Sequence, residues 1–467
     1  MVNGFLYANA ARRPDHDALV HGEQRIGHAE LLDRVERTAH GLADHGVSAG
    51  DAVAVVLPNG PDFVISFFAI AGLGAVVVPL NPQFRADELT FCLQACGVRA
   101  VIAEQRLETR AGVDVRWLTP AELLAPQPLG LQISSAEEPC VFSFSSGSTG
   151  RPKRLARTHG QLWAEAESYT WIRPDDRLFC AIPLFHTYGL GCCMIAMIRN
   201  GAALVFLDDA HPFVLARRRA LDLLEGEAVT VFPGVPFSFR LLAEAPGEAD
   251  LSRLRLCLSA GTALPRPTFD AFAVRFGVPI RQLYGSTETG TLTVNLDDDP
   301  AASFASVGRP VGDVRVEIRD DDEIAVASPA MTRGYTDRDD LNRRVFRDGW
   351  YLTGDLGRLD DEGRLFVTGR KKLLIEVAGH KVDPIEVEDV VAAHPKVREA
   401  VVVAVGGGSG GEETVKAVVV AGDGCGEQEV IEFCRARLAN FKVPRVVEFR
   451  DEIPKSPLGK ILRKYLV

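Results

Sequence analysis

No C-x-x-C pair occurs in this sequence, and its nine cysteines are an odd number that includes the adjacent Cys192 and Cys193. That usage excludes a disulfide framework, offers no zinc-ligand spacing, and suits a reducing compartment. Positive charge is in deficit, with 52 Lys and Arg against 63 Asp and Glu and a formal net charge of −11. A nucleic-acid partner would need a local basic patch to overcome that repulsion, and none dominates. Heptad runs and internal repeats are absent, which excludes coiled coils and solenoids. The opening MVNGFLYANAARRPDHD lacks the basic start, apolar stretch and small-residue cleavage site of a secretory signal, so a cytoplasmic chain is expected.

What is there is globular composition. The 467 residues are 46% hydrophobic and 25% charged, which excludes global disorder, and at about 150 residues per domain they make roughly three structural units. One uncharged stretch, Phe63 to Phe84, is long enough to span a bilayer, but Gly72, Gly74 and Pro79 interrupt it. An apolar helix ending near the glycines and a buried strand at AVVVPL account for it inside an α/β core. From Asp51 onward, β-branched runs (AVAVVL, AVVVPL, VRAVIAE) alternate with helical stretches, the pattern of βα units around a largely parallel sheet. From about Val314 charge-rich alternation (VRVEIRDDDEIAVAS) predicts a small antiparallel subdomain. After GRKK at Gly369 to Lys372 comes a compact α+β tail, with GGGSGG at Gly406 to Gly411 as a hairpin loop. The fold class is therefore α/β: a large N-terminal domain, residues 1–371, of parallel and mixed sheets with helices, and a smaller C-terminal domain, residues 372–467.

The sharpest local feature is SFSSGSTGRPK, Ser143 to Lys153. Glycines let backbone N–H groups approach phosphate oxygens, hydroxyls add donors, and Lys153 adds positive charge. The order of residues is neither a Walker A loop nor G-x-G-x-x-G, and Pro152 argues against a helix starting directly at the lysine. Taken alone, the segment also reads as a solvated Ser/Gly loop. It is followed in order by YGSTETG (Tyr284 to Gly290), YLTGDLG (Tyr351 to Gly357), GRKKLLIEVAGHKVDPIEVE (Gly369 to Glu388) and PKSPLGKILRK (Pro454 to Lys464).

Together these five motifs resemble the signatures of the adenylate-forming superfamily of acyl- and aryl-CoA synthetases, peptide-synthetase adenylation domains and beetle luciferases, over essentially the whole chain. The resemblance implies a reaction in which a carboxylate attacks the α-phosphate of ATP to give an acyl-adenylate and pyrophosphate, and a thiol then displaces AMP. Positioning and charge stabilisation carry such chemistry. It also implies that Ser145, Ser146, Gly147, Ser148, Thr149, Gly150 and Lys153 cradle pyrophosphate. Gly261, Thr262 and Ala263 of LSAGTALP would line the adenine, on which Tyr284, beside Gly285, would stack. Thr287 would donate to the α-phosphate and Glu288 would ligate Mg²⁺. Asp355 and Arg370 would hold the ribose hydroxyls. Lys460 would bridge the acyl carboxylate and the α-phosphate from a mobile C-terminal lid. Lys372 stands at the family's hinge position, and a rotation there would exchange the Lys460 face for one whose Gly379 lines a pantetheine tunnel. Lys455, Arg463 and Lys464 read as ordinary residues of a basic tail.

PLFHTYGLG, Pro183 to Gly191, resembles the segment that places a histidine near the acyl carboxylate in CoA ligases. His186 stands where amino-acid-activating relatives carry an aspartate for the substrate ammonium; an unpaired buried ammonium is costly, which argues against an α-amino acid. Glu376 departs from the lysine of luciferases, which argues against an oxygenase. By the same resemblance Thr187, Tyr188, Ala260, Leu283, Gly285, Gly290 and Thr291 surround the acyl group with His186. Most are small or apolar, which suits an aryl or short-to-medium aliphatic acid. The expected reaction is ligation of that acid to coenzyme A with ATP and Mg²⁺. The alternatives are loading onto a carrier protein's phosphopantetheine, and a non-catalytic nucleotide-binding regulator.

Overall fold

The computed structural model describes residues 2–105, 107, 113–132, 135–145, 153–208, 213–371, 375–377, 380–406, 413–456 and 461–467. The chain forms two compact units, one of Met1–Val316 with Val326–Tyr351 and one of Glu317–Ala325 with Leu352–Val467.

The first unit holds a six-stranded and a nine-stranded sheet. The β-branched runs become Ala52–Val56, Val76–Pro79 and Val98–Ala103, parallel neighbours in the smaller sheet. Ala52–Val56 and Val76–Pro79 are buried at every residue, as strands covered on both faces must be. The uncharged stretch resolves as expected. Pro61 opens the helix Pro61–Gly72, whose residues from Phe63 on are all buried, and Gly74 turns at φ +72° into the strand Val76–Pro79. No helix among the described residues is long and apolar enough to cross a membrane. At the far side of this sheet Pro139–Ser145 runs parallel to Val76–Pro79, and Lys153–Thr158 returns antiparallel with Lys153 opposite Ser145. Lys153 thus begins a strand, and no helix starts at the lysine. The next helix, His159–Ser168, starts six residues later, capped by Thr158 and Gln161.

In the nine-stranded sheet Asp17–His21, Ala203–Phe206, Arg177–Cys180, Val231–Gly234, Leu256–Ser259 and Ile280–Ser286 run parallel. Gln24–Gly27 at one edge and Gly290–Val294 near the other pair antiparallel with this set, and Arg309–Pro310 pairs antiparallel with Gly290–Val294 in turn. Phe179, Phe232, Phe239 and Phe272 form a chain of aromatic contacts beneath it, with centroids 4.9 to 5.4 Å apart. Parallel strands deliver their C-terminal ends to one edge, where the loops beginning at residues 181, 235, 260 and 287 emerge. That edge is where open α/β sheets bind ligands.

In the second unit the strand running to Leu359 pairs antiparallel with Leu365–Arg370. Beyond it the expected α+β tail is present: the hairpin Ile375–Val377 and His380–Val382, the helix Pro384–Ala392, the antiparallel strands Val397–Gly406 and Glu413–Ala421, the helix Glu427–Arg435, and Val446–Phe449 parallel to the second of those strands. Gly406 stands opposite Glu413, so the glycine-rich segment joins a hairpin, although Gly407 to Gly411 fall outside the described residues. Val387, Val391, Val402, Ala417, Val419 and Val430 form its core.

Two histidines of the first unit are buried as neutral rings. His28 lies 3.1 Å through Nε2 from the Gly201 carbonyl, and both ring nitrogens of His159 lack hydrogen-bond partners among the described residues. Desolvation by burial lowers both pKa values to about 4. Between pH 6.5 and 4 the unfolded chain therefore binds more protons than the folded one. This contribution is complete above pH 6.5 and is lost as pH falls, at up to about 1.4 kcal/mol per pH unit for each histidine. Urea midpoints measured from pH 7 to 4.5 are expected to decline, and His159→Leu is expected to flatten that decline.

Candidate active site

The phosphate-loop motif enters and leaves the described residues through Ser145 and Lys153. Ser145 is 8% exposed, and its Oγ has no hydrogen-bond partner among the described residues. The Lys153 ammonium lies 4.4 Å from the centroid of the Tyr335 ring, within cation–π range. Ser146, Gly147, Ser148, Thr149 and Gly150 lie outside the described residues. Tyr335 arrives on a segment strapped to the lysine strand. Thr332 Oγ1 donates to the Ala156 carbonyl at 2.7 Å, the Thr336 N–H donates to Arg154 at 2.9 Å, and Leu155 and Tyr335 form an antiparallel bridge.

The same segment holds Glu288. The Tyr335 hydroxyl donates to Glu288 Oε1 at 2.6 Å, and the Thr332 N–H donates to the Glu288 carbonyl at 2.8 Å. Glu288 is 7% exposed and Thr287 is half-buried. Both sit in the turn between Ile280–Ser286 and Gly290–Val294, whose register shifts at Tyr284 and Gly285. Backbone sterics explain both glycines of the turn: a Cβ on Gly285 would lie 2.4 Å from the Gly290 carbonyl oxygen, and Gly290 sits at φ +70° with Glu165 2.7 Å from where its Cβ would be. Tyr284, half-buried, ends the same strand. Gly261, Thr262 and Ala263 are exposed at the C-terminal end of Leu256–Ser259, with Gly261 at φ +87°. Gln282 steadies this loop by accepting the Leu264 N–H at 3.4 Å.

On the acyl side, Asn59 braces the segment bearing His186, a role the sequence reading missed. Its Nδ2 donates to the Ile182 carbonyl at 2.8 Å and its Oδ1 accepts the Leu184 N–H at 2.8 Å. His186 Nδ1 accepts the Tyr188 N–H at 3.2 Å, which puts the proton of the neutral ring on Nε2. Thr187 is half-buried. Tyr188 stretches across the ends of two parallel strands, its hydroxyl 3.0 Å from the Leu258 carbonyl and 3.3 Å from that of Gly234. Burial raises its pKa, so it stays a phenol. The helix that follows contains a π-helical turn, Leu190–Ile195, a form often found at functional sites.

Ala260, Leu283 and Thr291 are 6%, 5% and 6% exposed. Beneath Thr291 lies a polar network where the sequence suggested small and apolar surroundings. Thr291 Oγ1 is 3.1 Å from the Tyr169 hydroxyl, which donates to Glu165 at 2.7 Å, and Glu165 pairs with Arg157 at 2.6 Å. The two charges are 2% and 1% exposed. Removing one partner of such a pair costs about 3–5 kcal/mol because the other charge is left buried alone. A Cβ on Gly191 would lie 2.5 Å from Glu165 Oε1. Arg157 and Glu165 are ordinary charges in the sequence, and no local pattern marks them as partners.

In the second unit Asp355 and Arg370 are cross-strand partners, and Arg370 Nε donates to Asp355 Oδ1. The preceding turn is held by Glu323, which accepts the Gly354 N–H at 3.0 Å and the Lys371 ammonium at 3.0 Å. Lys455 and Arg463 correct the sequence expectation of a loose basic tail. Lys455 is paired with Glu399, and Arg463 with Glu388 and the Val402 carbonyl. Lys455 and Ile461 form an antiparallel bridge. Lys372, Gly379 and Lys460 lie outside the described residues, as do the side chains of Glu376 and Lys464.

The donor set fits magnesium nucleotide. Glu288 has Oε1 committed to a tyrosine and Oε2 without a hydrogen-bond donor among the described residues. No group of three His, Cys, Asp or Glu that could hold a metal occurs among the described residues. A lone carboxylate completed by phosphate oxygens and water is how Mg²⁺ is commonly held. The partnerless Ser145 hydroxyl is a suitable phosphate donor.

Residues 6–336 match the family described as AMP-binding enzyme, and residues 386–460 match the AMP-binding enzyme C-terminal domain. The chain is 31% identical over 479 residues to 2-succinylbenzoate–CoA ligase of Bacillus mycoides (strain KBAB4), covering 99% of this chain and 97% of that one. It is 34% identical over 486 residues to feruloyl-CoA synthase of an Amycolatopsis species, covering 97% and 96%. Among solved structures, o-succinylbenzoate CoA synthetase from Bacillus subtilis in complex with the acyl-adenylate intermediate OSB-AMP matches with a TM-score of 0.87 and 27% identity, over 99% of this chain and 97% of that one. The same synthetase has also been solved with ATP and a magnesium ion. The five motifs, the two sheets with their ligand edge and these end-to-end matches agree that the chain belongs to the AMP-binding, adenylate-forming enzyme family, alongside its acyl- and aryl-CoA ligases.

Proposed function

We propose that this enzyme ligates an aryl or short-to-medium aliphatic carboxylic acid to coenzyme A at the expense of ATP. The observation that carries the reading is the meeting of Ser145, Lys153 and Glu288 in one unit, the last two through a single tyrosine: a hydroxyl, an ammonium and a carboxylate suited to phosphates and their cation. In the first step a carboxylate oxygen attacks the α-phosphorus and the bond to pyrophosphate breaks. In the second the CoA sulfur attacks the acyl carbon, AMP leaves, and the thiol proton is released.

In this reading Ser145, Ser146, Gly147, Ser148, Thr149, Gly150 and Lys153 hold the departing pyrophosphate. Gly261, Thr262, Ala263, Tyr284 and Gly285 receive the adenine, and Asp355 and Arg370 the ribose. Thr287 donates to the α-phosphate. Glu288 holds Mg²⁺, which supplies charge neutralisation on the phosphates. Lys460 offsets the charge that builds up as two anions meet. His186 presents Nε2–H toward the acyl carboxylate, with Thr187, Tyr188, Ala260, Leu283, Gly290 and Thr291 around the acyl body. The hinge is at Lys372, between a nucleotide-binding part of residues 1–371 and a lid of 372–467, and Gly379 leaves room for the pantetheine arm. Coenzyme A in preference to a carrier protein is favoured by the named ligases to which the chain is similar end to end. A cytoplasmic setting, where ATP and CoA are available, completes the reading.

A panel of acids assayed for pyrophosphate release is expected to show activity with aryl or short aliphatic acids and none with α-amino acids; activity confined to amino acids would overturn the pocket assignment. With CoA present the active acid should appear as its CoA thioester, whereas thioester formed only on a phosphopantetheinylated carrier would transfer the second step to that acceptor. Lys460→Ala is expected to lower ATP–pyrophosphate exchange by about 10²- to 10³-fold while AMP binding, measured by calorimetry, stays within a few-fold. Unchanged exchange would remove Lys460 from the chemistry.

A further inference from the structure

Tyr335 belongs to none of the motifs that announce nucleotide chemistry, yet it touches two of the charges that chemistry uses. Its ring carries the Lys153 ammonium at 4.4 Å from the centroid, and its hydroxyl donates to Glu288 Oε1 at 2.6 Å. The residue is 4% exposed and is held from several sides. Its N–H donates to Asn342 Oδ1 at 2.8 Å, its carbonyl accepts Asn342 Nδ2 at 2.7 Å, and its ring meets Phe346 edge-on at 5.9 Å. The Tyr351 hydroxyl lies 3.4 Å from its own.

We propose that Tyr335 is a positioning residue that holds the metal-binding carboxylate and the phosphate-binding ammonium apart, one at its hydroxyl and one on its ring face, so that neither neutralises the other and each stays aimed at the nucleotide. The inference rests on the assignment of Glu288 to Mg²⁺ and Lys153 to pyrophosphate. A carboxylate and an ammonium in one largely buried region attract each other strongly, and direct pairing would consume both. A phenol offers a donor to the carboxylate and a negative π face to the cation on the same rigid plate. It also settles which Glu288 oxygen is available: Oε1 is committed, which leaves Oε2 for the cation.

The test reads metal-nucleotide binding without turnover. Mn²⁺·ATP binding is measured by electron paramagnetic resonance on the full chain for wild type, Tyr335→Phe, Glu288→Gln and the double variant. Tyr335→Phe keeps the ring, and with it the packing on Phe346 and the seat for Lys153. Its dissociation constant is expected to rise about tenfold, the loss typical of a hydrogen bond to a charged group, with the KM for the acid unchanged. In the Glu288→Gln background the same substitution is expected to add little, because its effect runs through that carboxylate. Tyr335→Leu, which also removes the cation's seat, is expected to weaken binding further than Tyr335→Phe. An unchanged dissociation constant in Tyr335→Phe, or equal losses in both backgrounds, would overturn the proposal while leaving the ligase assignment standing. Mn²⁺·ATP binding indifferent to Glu288→Gln would overturn the metal assignment, and the proposal with it. Melting temperatures of each variant identify any loss that comes from unfolding.

Discussion

The hydrogen bond from Tyr335 to Glu288 is the constraint on which this part of the fold turns, because it gives a donor to a carboxyl side chain that is only 7% exposed. A charge removed from water needs compensation from donors or counter-charges, and a hydrogen bond to a charged group contributes about 1.5–3 kcal/mol. Tyr335 supplies that donor without supplying a positive charge. The other arrangements around it follow. The segment 332–336 is strapped to the lysine strand by Thr332, Leu155 and Thr336, and the Glu288 turn is strapped to the same segment by the Thr332 N–H. The tip of one sheet and the antiparallel edge of the other are thereby fastened to a common strap.

A second buried carboxylate uses the opposite solution. Glu165 is neutralised outright by Arg157, and its remaining hydrogen bonds go to Tyr169 and the Thr291 N–H. A charge satisfied in this way has nothing left for a ligand and acts as structure. The Tyr188 hydroxyl is likewise committed to main-chain carbonyls. Asn59, by bonding both Ile182 and Leu184, turns a loop end into a fixed mount for His186.

The parts legible in the sequence are those in which local residue type is the chemistry. Valine runs buried on both faces become parallel strands, and Gly74 breaks an apolar stretch that would otherwise read as a membrane span. The serine-rich loop, YGSTETG and TGD stand out in the sequence because small residues fall within a few positions of hydroxyl or carboxyl groups. Tyr335, Asn59, Arg157 and Glu165 were not legible. Tyr335 and Glu288 are 47 residues apart, and Asn59 and Ile182 are 123 apart; their partnerships exist only once the sheets are assembled. The basic tail was misread for the same reason, since Glu399 and Glu388, which engage Lys455 and Arg463, lie 56 and 75 residues earlier.

The crowding of Gly191 and Gly290 against Glu165 limits how this enzyme can diversify. The smallest enlargement of either residue is a methyl group. Here that first step collides with a buried charge whose counter-ion cannot follow it. The ion pair is in this sense a fixed wall beside both glycines.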